Sequence, residues 1–436
     1  MADRVTHGEL PAREEGIRRW GGSLALMRSP RFMSFLVWIL VPFWLSACSA
    51  KVKRVVLTGK HKVVPDDGEP NDHFGISVAI DGDRVVVGAK GDDERGLQAG
   101  SAYVFVRGEK GWELDSKVVA ADGGEGELFG IDVAIDGERI VVGSRGNIDS
   151  GYQSGSAYIF SKGGFGWVHE KKLAVSAEIS NCCFGTSVAI SGDAVIVGAS
   201  GEWGQGRASG AAYIFRRTNL GLWLMEDKLI PRDAAERDYF GVSVDMDGDR
   251  VVIGADGDDD KGVRSGSAYV FKRTESGWRQ EAKLVPGAGG RHHLFGSAVA
   301  ISGERIVVGA YGDDVNGRQS GSVYVFGRRK GKWLQVARLL PPDGRATDYF
   351  GRSVDIDGDG VIVGAFGDSH SDSKSGSAYI FKAGARGWLL QGKLVAVKAR
   401  KLHEFGRSVA ITGRRIVVGM HGDSSKGAWS GAAFIR

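Results

Sequence analysis

The sequence is poor in cysteine and proline and has no long hydrophobic run. Among 436 residues there are three cysteines and nine prolines. Cys48, Cys182 and Cys183 cannot form the even-numbered framework of a disulfide-stapled domain. The longest apolar stretch, residues 33–48, is shorter than the ~20 residues of a membrane-spanning helix. No Ser-His-Asp order, phosphate-binding loop or pair of catalytic carboxylates stands out, so no catalytic residue is predicted.

Strong charge of one sign is also lacking. The formal net charge is +4, and residues 1–47 carry six arginines against four acids. The rest of the chain is close to neutral, which disfavours the overall positive field of a nucleic-acid-binding protein. We therefore expect no nucleic-acid partner.

The short apolar stretch has the features of an export signal. Arg28 and Arg31 precede it, and the small residues Ser46 and Ala47 stand directly before Cys48. A basic segment followed by a short apolar segment is typical of a signal peptide. Residues 1–47 are therefore predicted to be a signal region, in which residues 1–26 carry no function if translation starts at Met27.

The end of this stretch, Leu45-Ser-Ala-Cys48, resembles the lipobox of bacterial lipoproteins. The resemblance implies cleavage before Cys48 and acylation of that cysteine, and an ordinary signal peptide with a chance cysteine is the alternative. Ser49 is not aspartate, which in bacterial lipoproteins implies transport to the outer membrane. Residues 48–56 would then be a lipid-anchored tether.

Glycine is abundant, with 68 residues, and it marks a long repeat. The dipeptide Phe-Gly recurs at intervals of 55 or 56 residues, and a sustained period of this length indicates a repeat architecture. The repeated phenylalanines are Phe74, Phe129, Phe184, Phe240, Phe295, Phe350 and Phe405.

Each unit contains four β-rich segments and no helical periodicity, which predicts one propeller blade per unit. In the unit that begins at Phe240, the predicted strands are 240–246, 251–255, 267–271 and 278–285. The second is apolar at consecutive positions, as expected of a strand that is covered on both faces. The fold class is therefore all-β: a seven-bladed β-propeller of four-stranded antiparallel blades over residues 57–436.

The two ends of the chain predict how the ring closes. The last unit stops at Arg436, after its third strand, while residues 57–64 align with the fourth strand of the next unit. An N-terminal strand is therefore expected to complete the last blade. A lysine or arginine twelve residues before each Phe-Gly supports the alignment: Lys62, Lys117, Lys172, Lys228, Lys283, Arg338 and Lys393.

These units resemble FG-GAP repeats, the units of the integrin α-subunit propeller, and more closely a short bacterial form found in secreted and lipoprotein chains. The Phe-Gly is present in all seven units, and a Gly-Ala such as Gly88-Ala89 or Gly254-Ala255 follows in five of them. The resemblance implies the propeller fold, with a protein or carbohydrate as partner. The family's longer calcium-binding hairpin is absent, since the first hairpin here is as short as Ile80-Asp-Gly-Asp-Arg84.

The top face, which we define as the face carrying the second-to-third loops and the connections between blades, is rich in acids. Asp258, Asp259 and Asp260 lie in one such loop, and the other loops contain Asp92, Asp313, Asp368 and Asp423. They predict either an acidic face for Ca²⁺ or a basic partner, or ordinary turn chemistry. A second set of Ca²⁺ candidates opens the first hairpins of two blades: Asp245, Asp247 and Asp249, and Asp355, Asp357 and Asp359. Carboxylates that face a wet channel are the alternative for this set.

The bottom face carries the hairpins, and its third-to-fourth turns are rich in lysine and arginine. Because a fourth strand runs from bottom to top, the anchored chain would enter from the bottom, and the basic rim would face the membrane. The residues of this rim are Arg216, Arg217, Lys272, Arg273, Arg328, Arg329 and Lys330.

The sequence thus favours a non-enzymatic lipoprotein of the cell envelope that binds or scaffolds a partner on its top face. Two alternatives stay open: a propeller hydrolase or lyase with its site in the top channel, and a purely structural envelope component. An enzyme site usually breaks repeat symmetry with a few odd polar residues, and here Asp132, Asp245, Asp355 and a few loop histidines do so.

Overall fold

The computed structural model describes residues 53–146, 154–175 and 182–436, so the signal region and Cys48 lie outside the described residues. The described chain forms seven sheets, in which strands that are consecutive in the chain pair antiparallel with their neighbours, apart from two short N-terminal strands that join the last two sheets. The first strand of every sheet contacts the first strand of the next, and the last sheet contacts the first in the same way. This is the predicted seven-bladed β-propeller, with the first strands around a central channel.

The strands are numbered β1 to β29 along the chain. Two short strands, β1 (Arg54–Leu57) and β2 (Lys62–Val63), precede blade one and are separated by the 3₁₀ turn Gly59–His61. Blade one holds β3 (Ser77–Asp81), β4 (Arg84–Ala89), β5 (Ser101–Gly108) and β6 (Gly111–Val118); blade two holds β7 (Phe129–Asp136), β8 (Arg139–Ser144), β9 (Ser156–Gly163) and β10 (Gly166–Leu173); blade three holds β11 (Phe184–Ser191), β12 (Ala194–Ala199), β13 (Ala211–Arg217) and β14 (Trp223–Leu229).

The remaining blades repeat this plan. Blade four holds β15 (Val244–Asp247), β16 (Arg250–Ala255), β17 (Ser267–Thr274) and β18 (Gly277–Leu284); blade five holds β19 (Phe295–Ser302), β20 (Arg305–Ala310), β21 (Ser322–Arg329) and β22 (Lys332–Leu339); blade six holds β23 (Ser353–Asp357), β24 (Gly360–Ala365), β25 (Ser377–Gly384) and β26 (Gly387–Ala396); blade seven holds β27 (Val409–Thr412), β28 (Arg415–Met420) and β29 (Ala432–Ile435). None of the described residues forms a helix that is long and apolar enough to cross a bilayer.

The N-terminal segment closes the last blade, as predicted, but with different bounds. Only β2 pairs with β29, in the register Lys62 to Phe434 and Val63 to Ala433. Strand β1 instead lies parallel to β26 as a fifth strand of blade six. The turn Gly59–His61 carries the chain from one blade to the other. Residues 54–56, which the sequence analysis assigned to the tether, therefore belong to a sheet.

The Phe-Gly repeat holds adjacent blades together. All seven phenylalanine side chains are fully buried, and each ring packs edge-on against an aromatic ring of the third strand, as Phe74 does against Tyr103 at 5.3 Å between centroids. The following glycine has a positive φ, 87° at Gly75, and a Cβ there would lie 2.3 Å from the carbonyl oxygen of Ala432 in the preceding blade. Only glycine fits this conformation and this approach, which explains why the dipeptide returns in every unit.

The hydrophobic core is divided among the blade interfaces. The second and third strands are apolar on both faces, and their side chains form seven buried clusters in the described chain, each shared by two adjacent blades. The cluster between blades six and seven includes Leu57 of β1, which is fully buried. The N-terminal segment is therefore part of the core at the place where the ring closes.

Candidate functional site

The repeated acids of the top loops are buried and bonded within their own blades. Asp92, Asp258, Asp313, Asp368 and Asp423 are between 2 and 6% exposed. Asp258 accepts a hydrogen bond from the Tyr269 hydroxyl at 2.8 Å, and Asp368 accepts one from Tyr379 at 3.1 Å. The expectation of an acidic top face is therefore wrong for these five residues, because their carboxylates point into the blade and not toward a partner.

The basic residue before each Phe-Gly completes this buried network. In blade one the Lys117 ammonium lies 2.7 Å from Asp67, 2.8 Å from Asp92 and 2.8 Å from Glu94. It also lies 5.2 Å from the ring centroid of Tyr103, a cation–π contact that the corresponding basic residues make in the next five blades. In the last blade, Lys62 of the closing strand bonds Asp423 at 2.8 Å.

A lysine ammonium group already lies against the carboxylates of the candidate calcium loop Asp258–Asp260. Asp258 and Asp260 form a cluster with Asp233, the one group of possible metal ligands found among the described residues. The Lys283 ammonium lies 2.7 Å from Asp233, 2.8 Å from Asp258 and 2.6 Å from Asp260. Asp259 turns away and accepts the backbone N–H of Arg264. The ammonium thus offsets part of the negative charge that would otherwise attract Ca²⁺.

The second calcium candidates connect blades and do not converge on one point. The Asp245 carboxylate accepts the backbone N–H of Ile301 in the next blade at 2.7 Å, and Asp247 accepts that of Gly303 at 2.6 Å. Asp355 and Asp357 repeat this pattern toward Ile411 and Gly413, and Asp359 pairs with Arg305 at 2.9 Å. Asp249 is exposed. The structure therefore gives these carboxylates, Asp249 excepted, an inter-blade role that the sequence did not reveal.

Burial in the channel wall changes the protonation of its carboxylates. Desolvation raises the pKa of Asp245 to about 8, with Asp355 adding repulsion, and raises the pKa of Asp355 to about 7. In the same way the pKa of Asp132 rises to about 6, while its hydrogen bond from Val188 N–H opposes the shift. The middle of the channel thus carries less negative charge at neutral pH than its three carboxyl groups suggest.

The predicted basic rim is largely neutralised by acids of the fourth strands. Arg216 and Arg273 both pair with Glu226, and Arg217 pairs with Glu170. Arg328 pairs with Glu281 in the same manner and also with Glu304, which lies in the turn between β19 and β20. The sequence pattern that could have revealed these acids is an Asp or Glu that stands two residues before the repeated lysine in four blades. Among the predicted rim residues, Lys272, Arg329 and Lys330 have no ion pair within the described chain.

The loop histidines, such as His73 and His421, and the adjacent cysteines Cys182 and Cys183 form no metal site among the described residues. His73 and His421 lie side by side, with ring centroids 5.5 Å apart, and both contact the indole of Trp429. Burial lowers the pKa of His73 to about 4. Cys182 and Cys183 are free thiols.

The blades differ from one another at the top mouth of the channel. The channel encloses about 570 Å³. The residue two after each phenylalanine lines the channel in all seven blades, and of the residues that follow the second strands Lys90 and Arg145 line it too. The first position holds Ile76, Ile131, Thr186, Val242, Ser297, Arg352 and Arg407, and the second holds Lys90, Arg145, Ser200, Asp256, Tyr311, Phe366 and His421.

Four of these residues form what we call the cationic arc: Lys90, Arg145, Arg352 and Arg407. They belong to blades one, two, six and seven, which are consecutive around the ring, and all four line the channel. The Arg352 guanidinium lies 5.6 Å from the Tyr311 ring centroid and that of Arg407 lies 5.2 Å from Phe366. Sequence reasoning missed this arc because its members are dispersed along the chain.

The family is apparent from the comparison with known proteins. A family model described as FG-GAP repeat matches residues 58–105, 112–160, 167–215, 223–271, 278–326, 333–381 and 388–435. No curated protein sequence matches the chain. Among solved structures, the chain is similar to Sqt1 of Saccharomyces cerevisiae, at 10% sequence identity and a TM-score of 0.45, over 88% of this chain and 98% of that one.

Proposed function

Since the chain belongs to the FG-GAP repeat family, we propose that it is a non-enzymatic binding or scaffolding propeller of the bacterial cell envelope. Its partner, a protein or a carbohydrate, would dock at the top mouth of the channel. The supporting observation is that the mouth positions differ in charge and size from blade to blade, while the Phe-Gly and Lys-Asp-Tyr positions recur.

An enzymatic role has less support. Asp132, Asp245 and Asp355 break the repeat, but each accepts a backbone N–H of the next blade, which accounts for its presence. A catalytic carboxylate would instead need to face a substrate together with a second acid, base or nucleophile. The geometry of the described channel therefore favours binding over catalysis.

A photo-cross-linking experiment tests the binding role. Benzoylphenylalanine in place of Leu97, which is exposed in a top loop, is expected to capture a specific partner in envelopes of cells that make the full chain. The same amino acid in place of Ser276, which is exposed in a bottom turn, is the matched control and should capture little. Capture only from the bottom position, or the same set of products from both, would contradict a top-face binding site.

We also propose that the protein is an outer-membrane lipoprotein, acylated at Cys48, whose bottom face lies on the membrane. Strand β1 runs parallel to β26, so the chain reaches Lys53 from the bottom. The five residues from Cys48 to Lys53 span at most about 17 Å, about the length of β26 between Gly392 and its bottom end at Gly387. The anchor would thus just reach the bottom rim of blade six and hold the propeller close to the bilayer.

Exposed apolar side chains on the opposite side of the ring would supply a second contact with the membrane. Phe165 is fully exposed and Leu220 is 87% exposed, and both stand in bottom turns, of blades two and three. Leu222, beside Leu220, is 57% exposed. These blades lie across the ring from blade six. Together with the anchor they would hold the bottom face flat against lipid, and Lys272, Arg329 and Lys330 would add attraction to anionic headgroups of about 1 kcal/mol each.

Vesicle co-sedimentation of the unlipidated chain, residues 49–436, separates the contribution of the apolar side chains to membrane binding from that of the basic ones. Replacing Phe165, Leu220 and Leu222 by serine, the residue that blade four has at its turn, should reduce binding to anionic vesicles about tenfold or more, because each buried apolar side chain contributes about 1.5 kcal/mol. This loss should persist at high salt. Replacing Arg329 and Lys330 by serine should weaken binding only at low salt. Equal binding of all three proteins would show that the bottom face is not membrane-facing.

A further inference from the structure

The cationic arc lacks the counter-ions that other basic residues of this protein have. Lys90, Arg352 and Arg407 are half-buried, yet no carboxylate lies within ion-pair distance of the arc among the described residues. By contrast, the repeated lysines and most of the bottom-rim arginines pair with acids within 4 Å. Half-buried positive charge without a partner is unfavourable, and a ligand anion would relieve it.

Together, the charged groups around the arc give the mouth of the channel a net positive charge. Two acids interact electrostatically with the arc, Asp256 and Glu404, and two further cations, Arg264 and Lys374, act on the same acids. Burial raises the pKa of both carboxyls. Burial and the proximity of Arg352 lower the pKa of Arg407 to about 10. Burial, Arg407 and Arg145 lower the pKa of Lys90. Four cations thus repel one another across a single opening.

Aromatic rings hold two of these cations in place. The rings of Tyr311 and Phe366 each have a guanidinium over one face, and Tyr349 stacks on Phe366 with centroids 4.9 Å apart and planes within 7°. The Lys374 ammonium lies 5.9 Å from the Tyr349 centroid. A guanidinium stacked on a ring keeps its N–H edge directed outward, in the geometry that suits a carboxylate.

We propose that the cationic arc binds carboxylates of an acidic segment of a protein partner, with Arg352 and Arg407 donating to them. This inference deepens the proposed function and rests on it. An acidic protein segment is favoured over an acidic glycan because sugar rings bind to open aromatic faces, and the faces in this cluster are already covered by Arg352, Arg407, Lys374 or a neighbouring ring. The channel volume of about 570 Å³ admits side chains or a chain end but not a folded domain.

The channel also limits how deep an acidic group would enter. Below the arc, the strand-one carboxyls Asp245 and Asp355 line the wall, and their oxygens already accept backbone N–H groups. A ligand carboxylate would therefore stay beside the guanidinium groups at the top. The bound segment would lie across the mouth and not thread through the ring.

The test is calorimetric titration of residues 49–436 with capped hexaglutamate, with capped hexaglutamine and oligogalacturonate as comparison ligands. We expect binding of hexaglutamate alone, weakened by salt. Replacing Arg352 and Arg407 by threonine should weaken it about tenfold or more. Blade three has Thr186 at this position, so the fold accepts the residue. The single variant Lys90→Ser, which introduces the residue that blade three has at Ser200, should weaken binding to a smaller extent.

The matched control removes two positive charges from the opposite face, through Arg329→Ser and Lys330→Ser. It should leave hexaglutamate binding within about twofold. Equal losses in both double variants would show attraction to net charge only and overturn the arc as a site, as would binding of oligogalacturonate in preference to hexaglutamate. If hexaglutamate fails to bind while Leu97 still captures a partner, the acidic-ligand inference fails and the proposed binding function stands.

Discussion

Deletion of residues 53–64 is expected to abolish the single cooperative unfolding transition of the propeller. The deletion removes β1 and β2, exposes the edge of β29, and takes the buried Leu57 out of the core between blades six and seven. It also leaves Asp423 without its lysine partner. An open strand edge next to an exposed core is a template for aggregation. Thermal denaturation followed by circular dichroism, with light scattering, measures both effects.

A point variant provides a graded form of the same experiment. Leu57→Ala should lower the free energy of unfolding by about 3 kcal/mol, because it leaves a cavity at the closure. Its neighbour Val56 is 50% exposed, and Val56→Ala should change stability by less than about 0.5 kcal/mol. A deletion protein that melts like the parent would show that blades six and seven hold the ring closed without this segment.

Replacing Lys283 by methionine is expected to destabilise the propeller and to create a calcium-dependent protein. The substitution leaves Asp233, Asp258 and Asp260 without their shared ammonium. Removing one partner of a buried ion pair costs about 3–5 kcal/mol in general, and we expect about 3 kcal/mol because Asp233 and Asp260 stay half-exposed. Millimolar Ca²⁺ should then raise the melting midpoint of the variant, by binding the native state alone.

The parent should melt at the same temperature with Ca²⁺ and with chelator, because Lys283 occupies the cluster. Lys272→Met in the same blade, which removes a lysine without an ion pair in the described chain, is the control and should behave like the parent. A calcium-dependent rise in the parent midpoint would contradict the assignment and restore Asp258–Asp260 as candidate metal ligands.

The pH dependence of the Lys283→Met effect has a definite sign. Burial works against the charged form of Asp258, but the bonds from Lys283, Asp260 N–H and Tyr269 outweigh it and hold the pKa of Asp258 below its ordinary value. A lowered folded-state pKa stabilises the protein above the unfolded pKa of about 4, and this contribution is lost as pH falls through the folded-state value. The stability difference between parent and variant should therefore narrow below about pH 4.

Sequence reasoning predicted the architecture because the features that specify it are local and repeated. Phe240-Gly and the Asp-Gly of the first hairpin each lie within one unit and return in other units. Each marks a backbone conformation that few other residues adopt. The blade-closing strand was also predictable, since residues 57–64 match the missing fourth strand. The prediction placed β1 wrongly, because nothing in Arg54–Leu57 specifies that it pairs in parallel with β26, more than three hundred residues away.

The site residues were harder to predict because their roles depend on partners from other strands. Asp258 looks like a surface acid in its own loop, but Lys283 and Tyr269 enclose it. Asp245 resembles a metal ligand in its Asp-x-Asp-Gly run, but Ile301 in the next blade supplies the N–H that it accepts. In both cases the contact that decides the role joins residues from different strands.

By itself, the sequence determined the number of blades, the four strands of each and the closure by the N-terminal segment. Turn residues and the apolar pattern of a strand act over a few residues, and in this chain the same patterns occur in each of seven units. Only the tertiary structure decided that one repeated acid in each of five top loops is buried, that most of the bottom arginines are paired, and that Lys90, Arg145, Arg352 and Arg407 meet at one opening. The physical reason is that charge acts through space. Whether a charged side chain is paired or available to a ligand depends on groups that ring closure brings within a few ångströms of it, at distances along the chain that no local pattern records.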